Sequence, residues 1–255
     1  MKITYNTFIM KDQFTRMRLV IGDAAFQTLR NSTVAVFGIG GVGGSCVEAL
    51  ARSGIGKLVL IDNDEVSVTN INRQMVATLQ TIGKPKVIAA KERIHSIDPS
   101  IEVECIQKFY LPDNRDEFDF AGWDYIIDAI DTVSAKLDII VRADELGIPM
   151  LSSMGCGNRL DPSKLYCTDI FSTKNDPLAK VMRRELRKRH IAALRVVCSS
   201  ELPQKVHVTE GEQETLPQGK RAIPGSTAFV PPAAGLLLAS IAVRDLTEKG
   251  NTEND

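Results

Sequence analysis

One stretch of the sequence decides the fold: TVAVFGIGGVGG, residues 33–44. Its first five residues are apolar or β-branched and predict a buried strand. The glycines that follow match G-x-G-x-x-G at Gly38, Gly40 and Gly43, where a segment with helical spacing begins (43–53). Between a strand and a helix, such glycines let the backbone turn tightly and approach a phosphate at the helix N-terminus. The stretch therefore predicts the first strand, turn and helix of a nucleotide-binding unit.

Downstream of this unit, short apolar runs alternate with stretches of helical periodicity. The runs predict strands at 57–61, 101–107, 125–129 and 149–153, with helices at 82–97 and 135–146. Apolar strands that alternate with helices are typical of a parallel sheet covered on both faces. The predicted fold class is therefore α/β, with a Rossmann-like, doubly wound and mostly parallel sheet.

The pattern changes after about residue 155. It then predicts a strand at 165–171, a basic helix at 177–193, a strand at 195–198, a polar loop at 201–223 with at most a short strand at 205–208, and a buried helix over the apolar run 229–243. We interpret these elements as a C-terminal elaboration with antiparallel strands. The expected organisation is one domain over 1–255, with a nucleotide-binding core (1–154), the elaboration (155–247) and a frayed polar tail (248–255).

Composition excludes several classes of protein. The chain has 255 residues, of which 44% are hydrophobic and 25% charged, and these fractions exclude global disorder and fibrous repeats. The net charge of −1 gives no overall attraction to nucleic acid or membrane. The run 229–243 is interrupted by prolines and a glycine and is too short to span a bilayer, so no membrane association is expected.

The five cysteines carry two expectations. No two of them form a C-x-x-C pair, so no zinc site is expected. Their odd number, with no apolar leader in the first 14 residues, indicates reduced thiols and a cytoplasmic location.

Polar residues after the predicted strands suggest a phosphate site. Asp62 ends the second strand, near the spacing at which an acid meets a ribose hydroxyl. Because the carboxyl ends of parallel strands share one crevice, Gly41, Asp62, Arg73, Lys86 and Asp131 could meet there. A guanidinium, an ammonium and a carboxylate for Mg²⁺ suit a triphosphate. Two other interpretations stay open: the two cations are solvated surface charges, and Asp131 caps the next helix.

At these residues the sequence resembles the ubiquitin-activating-enzyme-like adenylating family. The resemblance is carried by GIGGVGG, LIDNDEV, TNINRQ, GKPKV and DAIDT, and extends over about residues 18–246. It implies an ATP site formed by Gly38, Gly40, Gly41, Gly43, Asp62, Asn70, Asn72, Arg73, Lys86, Asp131 and Thr132. In this site Arg73 and Lys86 would hold the triphosphate and Asp131 would hold Mg²⁺. Arg18 would reach into the ATP site of a second subunit, which implies a homodimer.

Within the family, the sequence is most similar to a subgroup that dehydrates threonylcarbamoyladenosine in tRNA. The supporting strings are VVCSSE at 196–201 and GSTAFVPPAAGLLLASIAVRDL at 225–246. The resemblance implies that ATP adenylates the substrate carboxylate, which the neighbouring carbamoyl group then attacks to close a ring. Sulfur-transfer proteins are possible partners. Cys198 lies near the region where some relatives carry a reactive cysteine, and Cys156 follows a predicted strand end near the crevice. A lone thiol is more often packed than reactive, so neither is expected to be catalytic.

Three alternatives remain at this point. The first is an adenylyltransferase that activates the C-terminal Gly-Gly of a ubiquitin-like sulfur-carrier protein, which the lack of C-x-x-C pairs disfavours. The second is an NAD-dependent oxidoreductase, disfavoured by Arg73, Lys86 and Asp131. The third is a nucleotide-binding scaffold without activity, disfavoured because the expected ATP set is complete.

A run of positive charge suggests the macromolecular partner. The segment KVMRRELRKRH at 180–190 has six cations and one acid. Like charges crowded on one helix face attract an anionic polymer, although the same face could simply be solvated. We therefore expect tRNA contacts from Lys180, Arg183, Arg184, Arg187 and Lys188.

Overall fold

The computed structural model describes residues 11–206 and 224–252. Most of the predicted 201–223 loop lies outside these residues, as does the end of the predicted tail at 253–255. Of the short strand considered at 205–208, residues 205 and 206 are not in a strand and the other two lie outside.

The described residues form seven strands and seven α-helices in the order that follows. They are α1 (Thr15–Ile21), α2 (Asp23–Asn31), β1 (Thr33–Phe37), α3 (Gly41–Ser53), β2 (Lys57–Ile61), α4 (Lys86–Ile97), β3 (Glu102–Ile106), β4 (Tyr125–Asp128), α5 (Val133–Leu146), β5 (Met150–Ser153), β6 (Leu165–Asp169), α6 (Pro177–Lys188), β7 (Arg195–Ser199) and α7 (Val230–Thr252). Short 3₁₀ turns connect several of these elements.

The strands form one sheet in the order β3-β2-β1-β4-β5-β7-β6. Neighbouring strands are parallel except β6 and β7, which are antiparallel. This confirms the predicted α/β fold class. The chain leaves β1 toward β2 on one side and returns to β4 on the other, so the strand order reverses at β1. Ligands of such sheets bind at the carboxyl ends of the strands beside this reversal.

Each face of the sheet is covered by its own apolar layer. On one face, α3, α4 and α7 pack over β1 and β2, with Leu50, Leu58 and Leu238 fully buried. On the other face, aromatic rings gather around Phe37, whose ring centroid lies 5.2 Å from that of Tyr110 and 5.8 Å from that of Trp123. Both layers exclude water from β1. Because the glycine turn directly follows this buried strand, the strand fixes the position of the turn.

The C-terminal helix α7 lies against α3. At Gly235 a Cβ atom would stand 2.2 Å from the Val42 carbonyl oxygen, so only glycine permits this approach. By length and composition the segment Val230–Glu248 could cross a membrane, but 61% of its most apolar window is buried inside the molecule. We therefore interpret it as a core helix, as the sequence predicts.

Several element boundaries differ from prediction, each for a local reason. Helix α4 begins at Lys86 because the preceding Pro85 is its N-cap and Gly83 has a φ of +82°. Strand β6 ends at Asp169, whose carboxylate caps a 3₁₀ turn at Ile170–Ser172. Helix α6 ends at Lys188, and His190 then takes a left-handed φ of +58° that turns the chain.

The two ends of the chain differ more. Helices α1 and α2 were not predicted, because α1 buries no residue and α2 buries only Ala25, Phe26 and Leu29. At the other end, α7 continues to Thr252 and so includes the first five residues of the tail that was expected to fray from Glu248.

Candidate active site

A cavity of about 560 Å³ opens at the carboxyl ends of β1, β2 and β4. These ends lie side by side, because Phe37 pairs with Ile61 on one side and with Asp128 on the other. Of the residues expected to bind a nucleotide, the structure places these on its wall: Gly38, Gly40, Gly41, Asp62, Asn70, Arg73, Lys86, Asp131 and Thr132. Gly43 and Asn72 do not line it.

The glycine turn needs its glycines for steric reasons. Gly38 has a φ of +86°, and a Cβ there would stand 2.8 Å from the Ala129 carbonyl oxygen. A Cβ on Gly43 would stand 1.7 Å from the Gly38 carbonyl oxygen. Gly43 therefore acts by letting α3 pack directly on the turn, which points the helix N-terminus and its unpaired N–H groups at the cavity.

Asp62 is fixed by the backbone on both of its oxygens. The Ile39 amide donates to Oδ2 at 2.7 Å, and the Asp64 amide donates to Oδ1 at 2.8 Å. Burial raises the pKa of this carboxyl above its usual range, and the nearby charge of Lys86 opposes that rise. The carboxylate retains lone pairs that can accept hydrogen bonds from a ribose hydroxyl.

Lys86 is a buried cation and not a solvated surface charge. Its residue is only 5% exposed, and Nζ lies 2.6 Å from Oδ2 of Asp64. Asp64 itself is exposed, and its carbonyl oxygen also accepts the Lys86 backbone N–H. The ion pair holds the ammonium at the cavity wall, where an anionic ligand can share it.

Arg73 lies beside the glycine turn. A Cβ on Gly41 would stand 3.5 Å from the Arg73 Cγ. Its guanidinium donates to the Thr69 carbonyl at 2.8 Å and to the Asn72 Oδ1 at 3.0 Å. Asn72 thus orients the arginine from outside the cavity, and its amide donates to the Ser226 carbonyl at 2.9 Å.

Asn70 and Asp131 occupy opposite sides of the cavity. The Asn70 Oδ1 accepts the Ser67 amide at 3.1 Å and closes a 3₁₀ turn, so part of its side chain is committed to structure. Asp131 is exposed and has no ion-pair partner among the described residues. It is not the N-cap of α5, because that position belongs to Thr132. Asp131 is therefore available to a ligand.

The cavity wall includes residues that were not singled out from the sequence. Lys108, Phe109 and Tyr110 follow β3 and close one side. They could have been found, because they leave the carboxyl end of a predicted parallel strand. Gln74 is only 7% exposed. Among the described residues, its Oε1 is the one buried side-chain polar atom that has no hydrogen-bond partner. A buried acceptor left unpaired is costly, so this oxygen indicates a missing donor.

Arg18 does not line this cavity. Its guanidinium lies 2.6 Å from the Asp12 carboxylate and 5.0 Å from the centroid of Phe26. Within one chain it therefore contributes nothing to the site.

The basic helix α6 presents its charges unevenly. Lys180, Arg184, Arg187 and Lys188 are exposed, and Arg187 stacks over Phe171 at 5.0 Å. Arg183 instead donates to the Thr173 carbonyl and hydroxyl, so it fixes the start of the helix. Glu185 is surrounded by Arg184, Lys188 and Arg189, whose hydrogen bonds lower its pKa to about 2, with Lys188 the largest cause.

Neither Cys156 nor Cys198 has the low pKa that a reactive cysteine needs. Burial raises the pKa of Cys156 to about 11 and also raises that of Cys198. A thiol with a raised pKa holds little thiolate at neutral pH. The described residues, which include all five cysteines, contain no group of three or more His, Cys, Asp or Glu that could hold a metal.

The fold and the cavity define a Rossmann-type nucleotide-binding protein with two cations, Arg73 and Lys86, in the cavity wall. The chain belongs to the ThiF family, which matches residues 13–254. It is 43% identical, over 242 residues, to the tRNA threonylcarbamoyladenosine dehydratase of Bacillus subtilis, covering 93% of this chain and 95% of that protein.

Solved structures agree with this assignment. The chain superposes with a TM-score of 0.84 on Escherichia coli tRNA N6-threonylcarbamoyladenosine dehydratase in complex with ATP, at 31% identity over 94% of this chain and 96% of the other. Escherichia coli MccB with ATP matches with a TM-score of 0.66 at 19% identity, covering 96% of this chain and 65% of that one, and shares the fold.

Proposed function

We propose that this chain is an ATP-dependent dehydratase that cyclises threonylcarbamoyladenosine in tRNA. The observation that carries the proposal is the meeting of the glycine turn, Arg73, Lys86 and Asp131 in one cavity. The chain in which they meet is 43% identical to a tRNA threonylcarbamoyladenosine dehydratase over nearly its whole length.

The reaction has two steps. First, an oxygen of the threonyl carboxylate attacks the α-phosphorus of ATP, and pyrophosphate leaves. Then the neighbouring carbamoyl group attacks the acyl carbon, a proton is lost, and AMP leaves with the former carboxylate oxygen. The sum of the two steps removes one water from the substrate. Because ring closure is intramolecular, its effective concentration is already high and no protein nucleophile is required.

The protein's part is to position the reactants and to stabilise charge. Asp62 would accept hydrogen bonds from the ribose. The α3 N-terminus, Arg73 and Lys86 would stabilise the negative charge that grows on the leaving pyrophosphate. The burial of Cys156 and Cys198 is consistent with a route that uses no thiol.

Asp131 is our proposed protein ligand for Mg²⁺. A single exposed carboxylate fits this ion, which usually keeps several waters and takes its other ligands from substrate phosphates. When bound, Mg²⁺ would neutralise phosphate charge. Asp131→Asn is expected to raise the Mg²⁺ concentration needed for half-maximal activity, whereas an unchanged Mg²⁺ requirement would remove Asp131 from this role.

We propose that α6 contacts tRNA through Lys180, Arg184, Arg187 and Lys188. Arg183 instead holds the start of the helix through its hydrogen bonds to Thr173. The double substitution Arg184→Glu with Lys188→Glu should raise the KM for tRNA and leave the Kd for ATP unchanged. An unchanged KM would mean that this helix face is merely solvated.

We propose a homodimer in which the partner's Arg18 completes each site. Mixed Arg18→Ala and Arg73→Ala subunits should then regain roughly a quarter of wild-type activity, because half of the dimers hold one intact site of two. If the mixture stays as inactive as the separate variants, Arg18 does not act across the interface.

We also place this one-domain enzyme in a reducing compartment, the cytoplasm.

The decisive experiment combines the protein, ATP, Mg²⁺ and tRNA that carries threonylcarbamoyladenosine, followed by gentle nucleoside mass analysis. Loss of one water mass is expected with wild type, and Arg73→Ala should abolish it without unfolding the protein. An unchanged nucleoside, together with pyrophosphate exchange driven by a carrier protein ending in Gly-Gly, would instead identify a sulfur-carrier adenylyltransferase.

A further inference from the structure

A second cavity of about 640 Å³ lies between helices α5 and α6, and we call it the α5–α6 groove. Its aliphatic walls are formed by Val133, Leu137 and Val141 of α5 and by Val181 of α6. Its volume lies within the range of about 300–1,000 Å³ typical of small-molecule sites. The groove is therefore large enough for a flat ring system, and it presents apolar surface to the faces of such a ring.

The groove adjoins the nucleotide cavity. Thr132 lines the nucleotide cavity, and the next residue, Val133, lines the groove. Across the shared wall, the Tyr110 hydroxyl on the nucleotide side donates to Oδ2 of Asp138 on the groove side at 2.7 Å. A substrate that reaches the nucleotide cavity can therefore occupy the groove at the same time.

The rim of the groove belongs to the basic helix. The Arg184 side chain is 69% exposed and that of Arg189 is 41% exposed, and both line the groove. Of the two acids of its described lining, Asp138 accepts from Tyr110, and Glu185 pairs with both rim arginines and with Lys188. One carboxylate therefore faces three cations, and the rim keeps a net positive charge. Guanidinium groups stack on unpaired bases and bind the phosphates on either side of them, so this rim suits a nucleic acid.

We propose that the α5–α6 groove binds an unpaired nucleobase of the tRNA. The faces of the base lie against the aliphatic walls, its edge meets the rim, and the phosphates on either side meet α6. Sequence-specific RNA recognition usually takes bases that have left the helical stack. The identity of the RNA as tRNA rests on the proposed function, whereas the preference for an unpaired base rests on the groove alone.

The test fills the groove without changing its charge. Val181→Trp, and independently Val141→Trp on the opposite wall, are compared with wild type in binding a stem-loop RNA with an unpaired loop and a fully paired RNA of equal length. Leu146→Trp is the matched control, because it adds the same ring to α5 at an exposed position outside the groove. Circular dichroism and the Kd for ATP report whether each variant is folded.

Each filled variant should weaken stem-loop binding about tenfold, because the added ring takes the place of the base in the groove, and should leave duplex binding unchanged. Equal losses on both RNAs, or no loss on the stem-loop in a folded variant, would overturn the proposal. Because binding needs no turnover, failure of wild type to dehydrate tRNA would count against the proposed function and not against the groove.

Discussion

At the scale of single residues, two adjacent glycines of α3 differ sharply in their surroundings. A Cβ on Gly43 would overlap the Gly38 carbonyl oxygen, whereas the nearest atom to a Cβ on Gly44 is 3.8 Å away, an ordinary contact. Within the pattern G-x-G-x-x-G, Gly43 is needed for packing whereas Gly38 and Gly40 line the cavity, and Gly44, outside the pattern, has room for a side chain.

Gly43→Ala should cost about 1–3 kcal/mol of unfolding free energy, as overpacking generally does. It should also weaken ATP binding, because the turn must move. Gly44→Ala is the control and should be neutral or stabilising, since alanine is the better helix former by about 1 kcal/mol. Urea denaturation and ATP calorimetry measure both effects, and equal behaviour of the two variants would contradict the steric explanation.

Replacing Gln74 should affect the melting temperature and the affinity for ligands in different ways. Replacing an unpaired buried amide by leucine removes a polar group that has no partner, so Gln74→Leu should not lower the melting temperature. If the missing partner belongs to ATP or substrate, the same change should weaken binding about tenfold, the value of one hydrogen bond. Gln80→Leu, at an exposed position outside the cavity, should change neither quantity. A destabilised Gln74→Leu with normal affinities would make Gln74 purely structural.

At the scale of elements, α5 is joined to the sheet by a buried charged network. The Lys136 ammonium and the Asp128 carboxylate are fully buried and lie 2.8 Å apart. The ammonium also donates to the Ser153 carbonyl at 2.9 Å and to the Ile130 carbonyl at 3.1 Å. All three of its N–H groups are therefore satisfied, and the bond to Ile130 fixes the loop that carries Asp131.

Lys136→Met should destabilise the protein by about 3–5 kcal/mol, because it leaves a buried carboxylate without its partner. Lys91→Met on α4, where the side chain is partly exposed, should stay within about 0.5 kcal/mol of wild type. Urea denaturation compares the two variants. A small effect of Lys136→Met would contradict the stabilising role assigned to this buried ion pair.

Helix α6 contains a pH-dependent contribution to stability at Glu185. Its pKa is about 2, against an ordinary value of 4.5, so its ion pairs stabilise the fold fully above pH 4.5. That contribution is lost as the pH falls from about 4.5 to about 2. The melting temperature of Glu185→Gln should therefore lie below that of wild type at pH 7, and the difference should shrink toward pH 2. A difference independent of pH would show that the ion pairs contribute nothing.

At the scale of the whole molecule, the near-zero net charge conceals an uneven distribution of positive and negative side chains. Cations concentrate on α6, while acids such as Asp62 and Asp64 stand at the nucleotide cavity. The total of −1 thus gives no account of the local charge at 180–190, whose contact with tRNA stays a prediction.

The sequence predicted the features that depend on local patterns. The turn at Gly38–Gly43, the parallel strands and the buried C-terminal helix all follow from periodicity and glycine spacing. Features that depend on distant contacts were missed. Phe26 of α2 is buried because its ring packs against Gly54. Asn72 lies outside the cavity because it binds the Ser226 carbonyl, and Arg183 is held by Thr173. None of these pairings leaves a mark in the local sequence.

The packing of α7 on α3 has a consequence for synthesis on the ribosome. Gly235 sits against the backbone of Val42 and Cys46, and Pro231 abuts the position of Gly41, so the last helix to be made covers the first nucleotide-binding turn. Domains fold as units, with the N-terminal part emerging first. A nascent chain arrested before residue 230 should therefore fail to be retained by immobilised ATP, while the released chain is retained. The apolar face of α3 then stays uncovered until residues 230–252 have been made, so we expect chaperones to bind the arrested chain more than the released one.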